Sequence, residues 1–258
     1  MTKEFTNTWA VILGGSSGLG LATAKKLAAH GMHLCIVHRD RKSSMALFET
    51  EVAALRSLGV EVLSFNKDAL SEATRNEVIS QLPKQGVGVL VHSIAKGSLK
   101  PMLGTKEQAL TKSDIDITIH AMGTSWYEWT HALIDGECFT KEAATIAFTS
   151  EGNAKVWPGY GAVSVAKATL EALMRQMAVE LAPMRIRSNC IQAGTTQTPS
   201  FAMIPGSAKL AELSKKRNPF GRLTTPEDVA NAVYLLCKEE ARWINGAVLK
   251  VDGGESTR

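Results

Sequence analysis

The sequence offers little that would cross-link the chain or hold it in a membrane. Its four cysteines, Cys35, Cys138, Cys190 and Cys237, stand far apart without CxxC spacing. Three lie in apolar runs, so a buried thiol is expected rather than a disulfide framework or a metal site. No stretch of about 18 apolar residues occurs. The opening MTKEFTNTW has no basic segment followed by an apolar one, so no membrane span or secretory leader is expected, and a cytoplasmic protein follows. One-sided charge is also missing: 29 Lys and Arg stand against 25 Asp and Glu, a net +4. That bias is too weak to imply nucleic-acid binding without a clustered basic face. Linkers, repeats and low-complexity segments are absent as well, and the 258 residues are read as a single domain, 1–258.

What is present is alternation. Hydrophobic residues make up 45% and charged residues 21%, ordinary globular usage. Short apolar runs at Trp9 to Leu13, Leu34 to Val37, Val60 to Phe65, Val87 to His92, Thr145 to Phe148, Arg185 to Ile191 and Ala247 to Val251 read as buried strands. Helical stretches fall between them near 18–30, 43–58, 71–82, 113–135, 161–182 and 226–239. Strand, helix, strand repetition implies an α/β fold with a seven-stranded, doubly wound parallel sheet, its ligand crevice at the carboxyl ends of the strands. The segment from Thr195 to Arg222, with Pro199, Pro205, Gly206 and Pro219, is expected to be a long irregular lid.

After the first strand comes Gly14-Gly15-Ser16-Ser17-Gly18-Leu19-Gly20. A glycine-rich turn feeding a helix lets backbone N–H groups meet a pyrophosphate, and the helix dipole favours the negative charge. Gly14, Ser16, Ser17, Gly18, Leu19 and Gly20 are therefore candidate dinucleotide contacts; the Walker lysine of a triphosphatase is missing. At the end of the second strand, where an acid would accept from the adenosine ribose, stands His38-Arg39-Asp40-Arg41-Lys42. Basic groups there pair with a ribose phosphate, so His38, Arg39, Arg41 and Lys42 favour NADPH over NADH, with Asp40 opposing. Asp68, beside Ala69, either accepts from the adenine amine or caps the next helix. Ser93, Ile94 and Ala95 follow the fourth strand and should pass the cofactor ribose; His92 reads as a strand-end residue.

Past the fifth strand lie Thr149-Ser150-Glu151-Gly152, then Tyr160, then Lys167. With the glycine loop, Asn189-x3-Ala193-Gly194-x3-Thr198 and Val251-Asp252-Gly253-Gly254, the chain resembles the short-chain dehydrogenase/reductase superfamily over essentially its whole length, in a Rossmann-like fold. Most members separate Tyr and Lys by three residues, whereas six intervene here. The literal three-residue match, Tyr234 to Lys238, has no serine upstream and is read as core of the last helix. Six resembles the enoyl-acyl-carrier-protein reductases, especially their NADPH-linked subgroup, since Ser150 stands near where many others carry a second tyrosine.

In a helix, positions four and seven apart share a face, the second about one turn (~5.4 Å) further on. That displacement suits conjugate reduction, in which hydride goes to the β-carbon and charge to a distant thioester oxygen. Tyr160 would then stabilise the developing enolate oxygen, and Lys167 would hold the nicotinamide ribose and polarise the phenol. Ser150 lines the active site or merely packs its loop.

The resemblance assigns Gly194, Thr196 and Thr198 to carboxamide and pyrophosphate, and implies a homotetramer. Phe201, Met203 and Ile204 would cover an acyl chain, and Lys209 with Lys215 to Arg217 would meet an acidic carrier protein bearing the enoyl group. His120 is expected to be a core or helix-capping residue. Trp126, Tyr127 and Trp129 are expected to pack in a subunit interface. Two alternatives stand beside the enoyl reductase: a carbonyl or hydroxysteroid-type reductase, and a cofactor-sensing protein without turnover.

Overall fold

The computed structural model describes residues 3–258. Seven strands, β1 (Trp9–Leu13), β2 (His33–His38), β3 (Val62–Asn66), β4 (Val87–His92), β5 (Phe139–Thr149), β6 (Ile186–Ala193) and β7 (Val248–Val251), form one sheet in the order β3-β2-β1-β4-β5-β6-β7. Every pairing is parallel. All five side chains of β1 are buried, because a parallel sheet is covered on both faces and its strands read as continuous apolar runs.

One face carries α1 (Gly18–Ala29), α2 (Lys42–Ser57) and α9 (Pro226–Cys237), which pack Leu27, Phe48, Val52 and Val233 against Ile12, Ile36 and Ile146. The other carries α3 (Glu72–Gln81), α4 (Lys112–Ile119), α5 (Ser125–Asp135) and α6 (Gly161–Glu180), with Val78, Trp126, Trp129, Leu133, Leu170 and Met174 in the core. The order reverses where β1 is flanked by β2 and β4. The crevice of a doubly wound sheet opens at that point.

Three local expectations change. The stretch 113–135 is not one regular helix: α4 passes through a π-helical turn, His120–Thr124, before α5. Trp126 and Trp129 do not face a subunit interface. Both are fully buried, Trp126 bonding Thr145 Oγ1 and Trp129 the Ala69 carbonyl at 2.7 Å, and only Tyr127 is exposed. Finally, 195–222 contains two helices, α7 (Pro199–Ala202) and α8 (Ser207–Arg217). Its prolines and glycine are helix-start signals: Pro199 occupies the first turn behind Thr198, whose hydroxyl accepts from Phe201 N–H, and Gly206 turns left-handed (φ 72°) ahead of α8.

Candidate active site

The glycine loop sits against the strand ends with no room for side chains. Gly14 has φ +79°, and a Cβ there would lie 2.5 Å from the Ser93 carbonyl oxygen, so the turn after β1 touches the loop after β4. A Cβ on Gly20 would lie 2.2 Å from the Gly14 carbonyl oxygen, which seats α1 directly on the turn. Ser17 precedes α1 in extended conformation and its side chain caps nothing, leaving the helix's first N–H groups without a side-chain acceptor. Thr198 comes against Gly18, and a cleft of ≈ 240 Å³ opens beside them, lined by Leu21, Lys25 and Pro226 among others. A turn packed too tightly against its own backbone for a Cβ at Gly14 or Gly20, facing the positive end of a helix, fits the pyrophosphate of a dinucleotide.

The adenosine end departs from expectation at His38. Its imidazole is buried against Phe48, with Nδ1 2.8 Å from Asp40 Oδ2 and Nε2 3.2 Å from Ser64 Oγ. Burial lowers its pKa against the pull of Asp40. A neutral ring then donates Nδ1–H to Asp40 and accepts from Ser64. His38 is thus unavailable to a phosphate, but it occupies the one carboxylate in the cluster. Arg39, Arg41 and Lys42 are exposed, and Arg39 reaches Asp68 Oδ2 at 3.1 Å. Burial pushes the Asp68 carboxyl up, but the Leu70 N–H, Lys96 and Arg39 outweigh it and hold the pKa low. Asp68 does not cap α3, which begins behind Ser71. Ala69 is buried.

At the end of β5, Ser150 Oγ accepts from Gly152 N–H at 3.1 Å and closes the short turn Glu151–Asn153. Tyr160 stands at the N-cap position of α6 with its ring over Gly152: a Cβ at 152 would come within 2.4 Å of Tyr160 Cε1 and 3.3 Å of Ser150 Oγ. Ser150 therefore closes its loop and lies beside the Tyr160 ring. Burial raises the Tyr160 pKa, and the Ser150 hydroxyl counters it. Lys167 is buried and donates to the Phe148 carbonyl oxygen at 2.7 Å. Burial lowers its pKa to about 8, with Cys190 and Glu171 opposing. The expectation that Lys167 polarises the phenol is not met in this arrangement. Lys167 is engaged by β5, and the hydroxyl acting on Tyr160 belongs to Ser150.

His92 donates through Nε2 to Ser125 Oγ at 2.8 Å, and burial and the Lys167 charge lower its pKa to about 3. It stays neutral as a strand-end residue. His120 pairs at the surface with Glu128 (3.2 Å), which also binds Arg75 (2.8 Å). Thr196 is buried and donates to the Gly194 carbonyl, and Gly194 lies tight against Thr224 and Asp252. On the lid, Phe201 and Ile204 are half-buried and Met203 is exposed. Among the described residues no cluster of three His, Cys, Asp or Glu side chains could hold a metal, and no helix is long and apolar enough to cross a membrane.

The family described as enoyl-(acyl carrier protein) reductase matches residues 14–256. This chain belongs to it, as a short-chain dehydrogenase/reductase. Dehydrogenase/reductase SDR family member 4 of Rattus norvegicus is 27% identical over 99% of this chain and 90% of its own. A short-chain dehydrogenase from Burkholderia cenocepacia in complex with NADP superposes with TM-score 0.82 at 25% identity, covering 98% of this chain and 99% of that one. Enoyl-[acyl-carrier-protein] reductase (NADH) from Aquifex aeolicus gives 0.83 at 25% identity, covering 98% of each.

Within this oxidoreductase the structure adds residues that no sequence motif marks. Trp157 Nε1 donates to the Pro205 carbonyl at 3.0 Å, tying the loop before Tyr160 to the lid. Arg217, expected on the open basic face of the lid, instead turns inward and pairs with Glu151 and Glu255. No local pattern announces such pairs.

Proposed function

We propose that this reductase saturates the carbon–carbon double bond of an enoyl thioester with NADPH, the acyl group being presented by an acyl carrier protein. The observation that carries the proposal is the separation of Tyr160 from Lys167: the phenol rests on Ser150 and Gly152 while the ammonium is held by β5. A dinucleotide held by its pyrophosphate at the glycine turn would supply the hydride from its reduced nicotinamide. Tyr160, kept protonated by burial, donates a hydrogen bond to the thioester oxygen, where negative charge develops away from the β-carbon that takes the hydride; the enolate then takes a proton from solvent at its α-carbon to give the saturated thioester. Lys167 anchors ribose hydroxyls beneath it. Phe201, Ile204 and Met203 cover the acyl chain, and water is kept from the developing charge.

NADPH is favoured because Arg39, Arg41 and Lys42 are exposed at the end of β2 while His38 holds Asp40, the carboxylate that would repel a ribose phosphate. Self-association into a homotetramer is part of the same reading. Trp243 is 99% exposed and Val179 73%, and Asn245 donates to the Ala178 carbonyl at 2.7 Å, so both lie where the loop before β7 meets the end of α6.

A carbonyl reductase is the second reading. It is favoured by Ser150 beside Tyr160, a pair able to donate to a single carbonyl oxygen, and by the dehydrogenase/reductase relatives. Steady-state oxidation of NADPH and NADH with crotonyl thioester against acetoacetyl thioester separates the two. The expected result is turnover of the enoyl substrate, with NADPH preferred by about tenfold or more, on the order of one charge-assisted phosphate contact. Activity confined to the ketone would replace the first reading by the second.

A further inference from the structure

We infer that Arg217, the last residue of α8, is a positioning residue for Tyr160, acting through Glu151. The inference rests on the reading above only in taking Tyr160 as the group that meets the substrate oxygen.

The guanidinium closes a junction between four segments. One of its nitrogens donates to Glu151 Oε1 in the turn after β5 and to Glu255 Oε1 (2.8 Å) beyond β7. Glu255 is almost wholly buried and also accepts from Thr195 N–H (3.1 Å) and Thr195 Oγ1 (2.8 Å) just after β6. Thr195 Oγ1 in turn lies 2.7 Å from Ser214 Oγ, one turn back on α8. Two carboxylates brought this close repel each other unless one cation sits between them, and a buried carboxylate without its cation is costly. Lys155 meets the other carboxylate oxygen of Glu151 at 3.0 Å, but Arg217 is the cation that spans both carboxylates, and the junction depends on it.

Glu151 transmits this to Tyr160 because of its neighbours. Ser150 before it closes the turn onto Gly152 N–H, and Gly152 after it is the surface on which the Tyr160 ring lies, so closely that not even a methyl group fits between them. A displacement of the Glu151 backbone must move Ser150 and Gly152 together, and the ring with them. Trp157 adds a tether at the far end of the same loop, through Pro205 ahead of α8. The lid helix thus grips both ends of the segment that carries Ser150 and leads to Tyr160. A shift of about 1 Å in a catalytic group is enough to cost about 100-fold in rate.

The test is a double-mutant cycle. Glu151→Gln, which leaves the Arg217–Glu255 pair in place, should lower kcat about tenfold, with NADPH affinity within about twofold. In a Tyr160→Phe background the same change should cost less than about twofold, because the group it positions is gone. Arg217→Met should behave as Glu151→Gln does, and Arg217→Lys should recover part of the loss. The cycle is run on whichever thioester turns over, enoyl or ketone, so an error in the substrate assignment leaves it intact.

A readout that needs no turnover is the ultraviolet titration of the Tyr160 phenol, taken as the difference from Tyr160→Phe. Glu151→Gln should move it upward as the Ser150 contact is lost. Equal losses in both backgrounds with an unmoved phenol titration would overturn the inference, as would a Glu151→Gln enzyme indistinguishable from wild type. If Arg217→Met does not fold, Glu151→Gln alone decides.

Discussion

A lysine ammonium enclosed by strands β5 and β6 is an unusual choice for a fold and a useful one for a reaction. The pKa of Lys167 is lowered by burial from 10.5 to about 8, so its charged form destabilises the folded chain. Below about pH 8 the ammonium is present folded and unfolded, and the penalty is full. Between about 8 and 10.5 the folded protein has released the proton while the unfolded chain still holds it, and stability rises with pH across that window. Activity should run the other way, since Lys167 is proposed to hold the ribose hydroxyls as the cation. We expect kcat/KM to fall as pH rises through about 8 while the thermal midpoint does not fall with it. A flat rate profile up to pH 10 would remove Lys167's charge from the mechanism. Lys167 and Tyr160 were legible in the sequence because their relation is local, seven positions along one helix. Arg217 was not, because its partners lie 66 and 38 residues away and no periodicity encodes such a distance. His38 is not legible in this way, because a basic residue at a strand end looks like a phosphate contact, and only the packing of Phe48 against it reveals that it faces inward.

The elements themselves were legible wherever a local chemical signal marks their bounds. Pro226 in the first turn and the reciprocal Thr225–Asp228 capping box start α9 where the sequence suggests. The apolar runs β1 and β4 have the bounds read from sequence, for they are buried on both faces. The lid was harder. Its proline and glycine signals mark turns and helix starts alike, and what distinguishes α8 is the burial of Ala211 and Ser214 against distant segments. With Arg217 turned inward, the outward basic face of α8 reduces to Lys209, Lys215 and Lys216, all exposed. That face is the one proposed to meet an acidic carrier. Reversing the three to Glu should raise KM for carrier-linked enoyl substrate by about tenfold or more and leave KM for a small thioester within about twofold, as expected for rim charges that steer association. Equal KM values for the carrier-linked substrate before and after reversal would show that the carrier docks elsewhere.

For the whole molecule, the parallel, doubly wound sheet follows from the strand and helix alternation, but the surfaces beyond it do not, since nothing in a single sequence separates an exposed tryptophan from a buried one. The expected interface aromatics, Trp126 and Trp129, are core, and Trp243, which no sequence pattern marks, is the bare one. If the surface around Trp243 joins copies of the chain, Trp243→Glu should lower the sedimenting mass at micromolar concentration without lowering the secondary-structure content, as loss of a buried aromatic anchor does. An unchanged mass would place the contact on another face.

The central position of β1 also carries a kinetic consequence. Its residues pair on one side with β2, Leu13 against Val37, and on the other with β4, Leu13 against His92. The second pairing must wait until two intervening strands and three helices have been threaded, a long loop to close before any contact rewards it. During that interval one apolar edge of β1, bearing Trp9 to Leu13, stays unpaired, and it is the stretch of this chain most in need of shelter while folding proceeds.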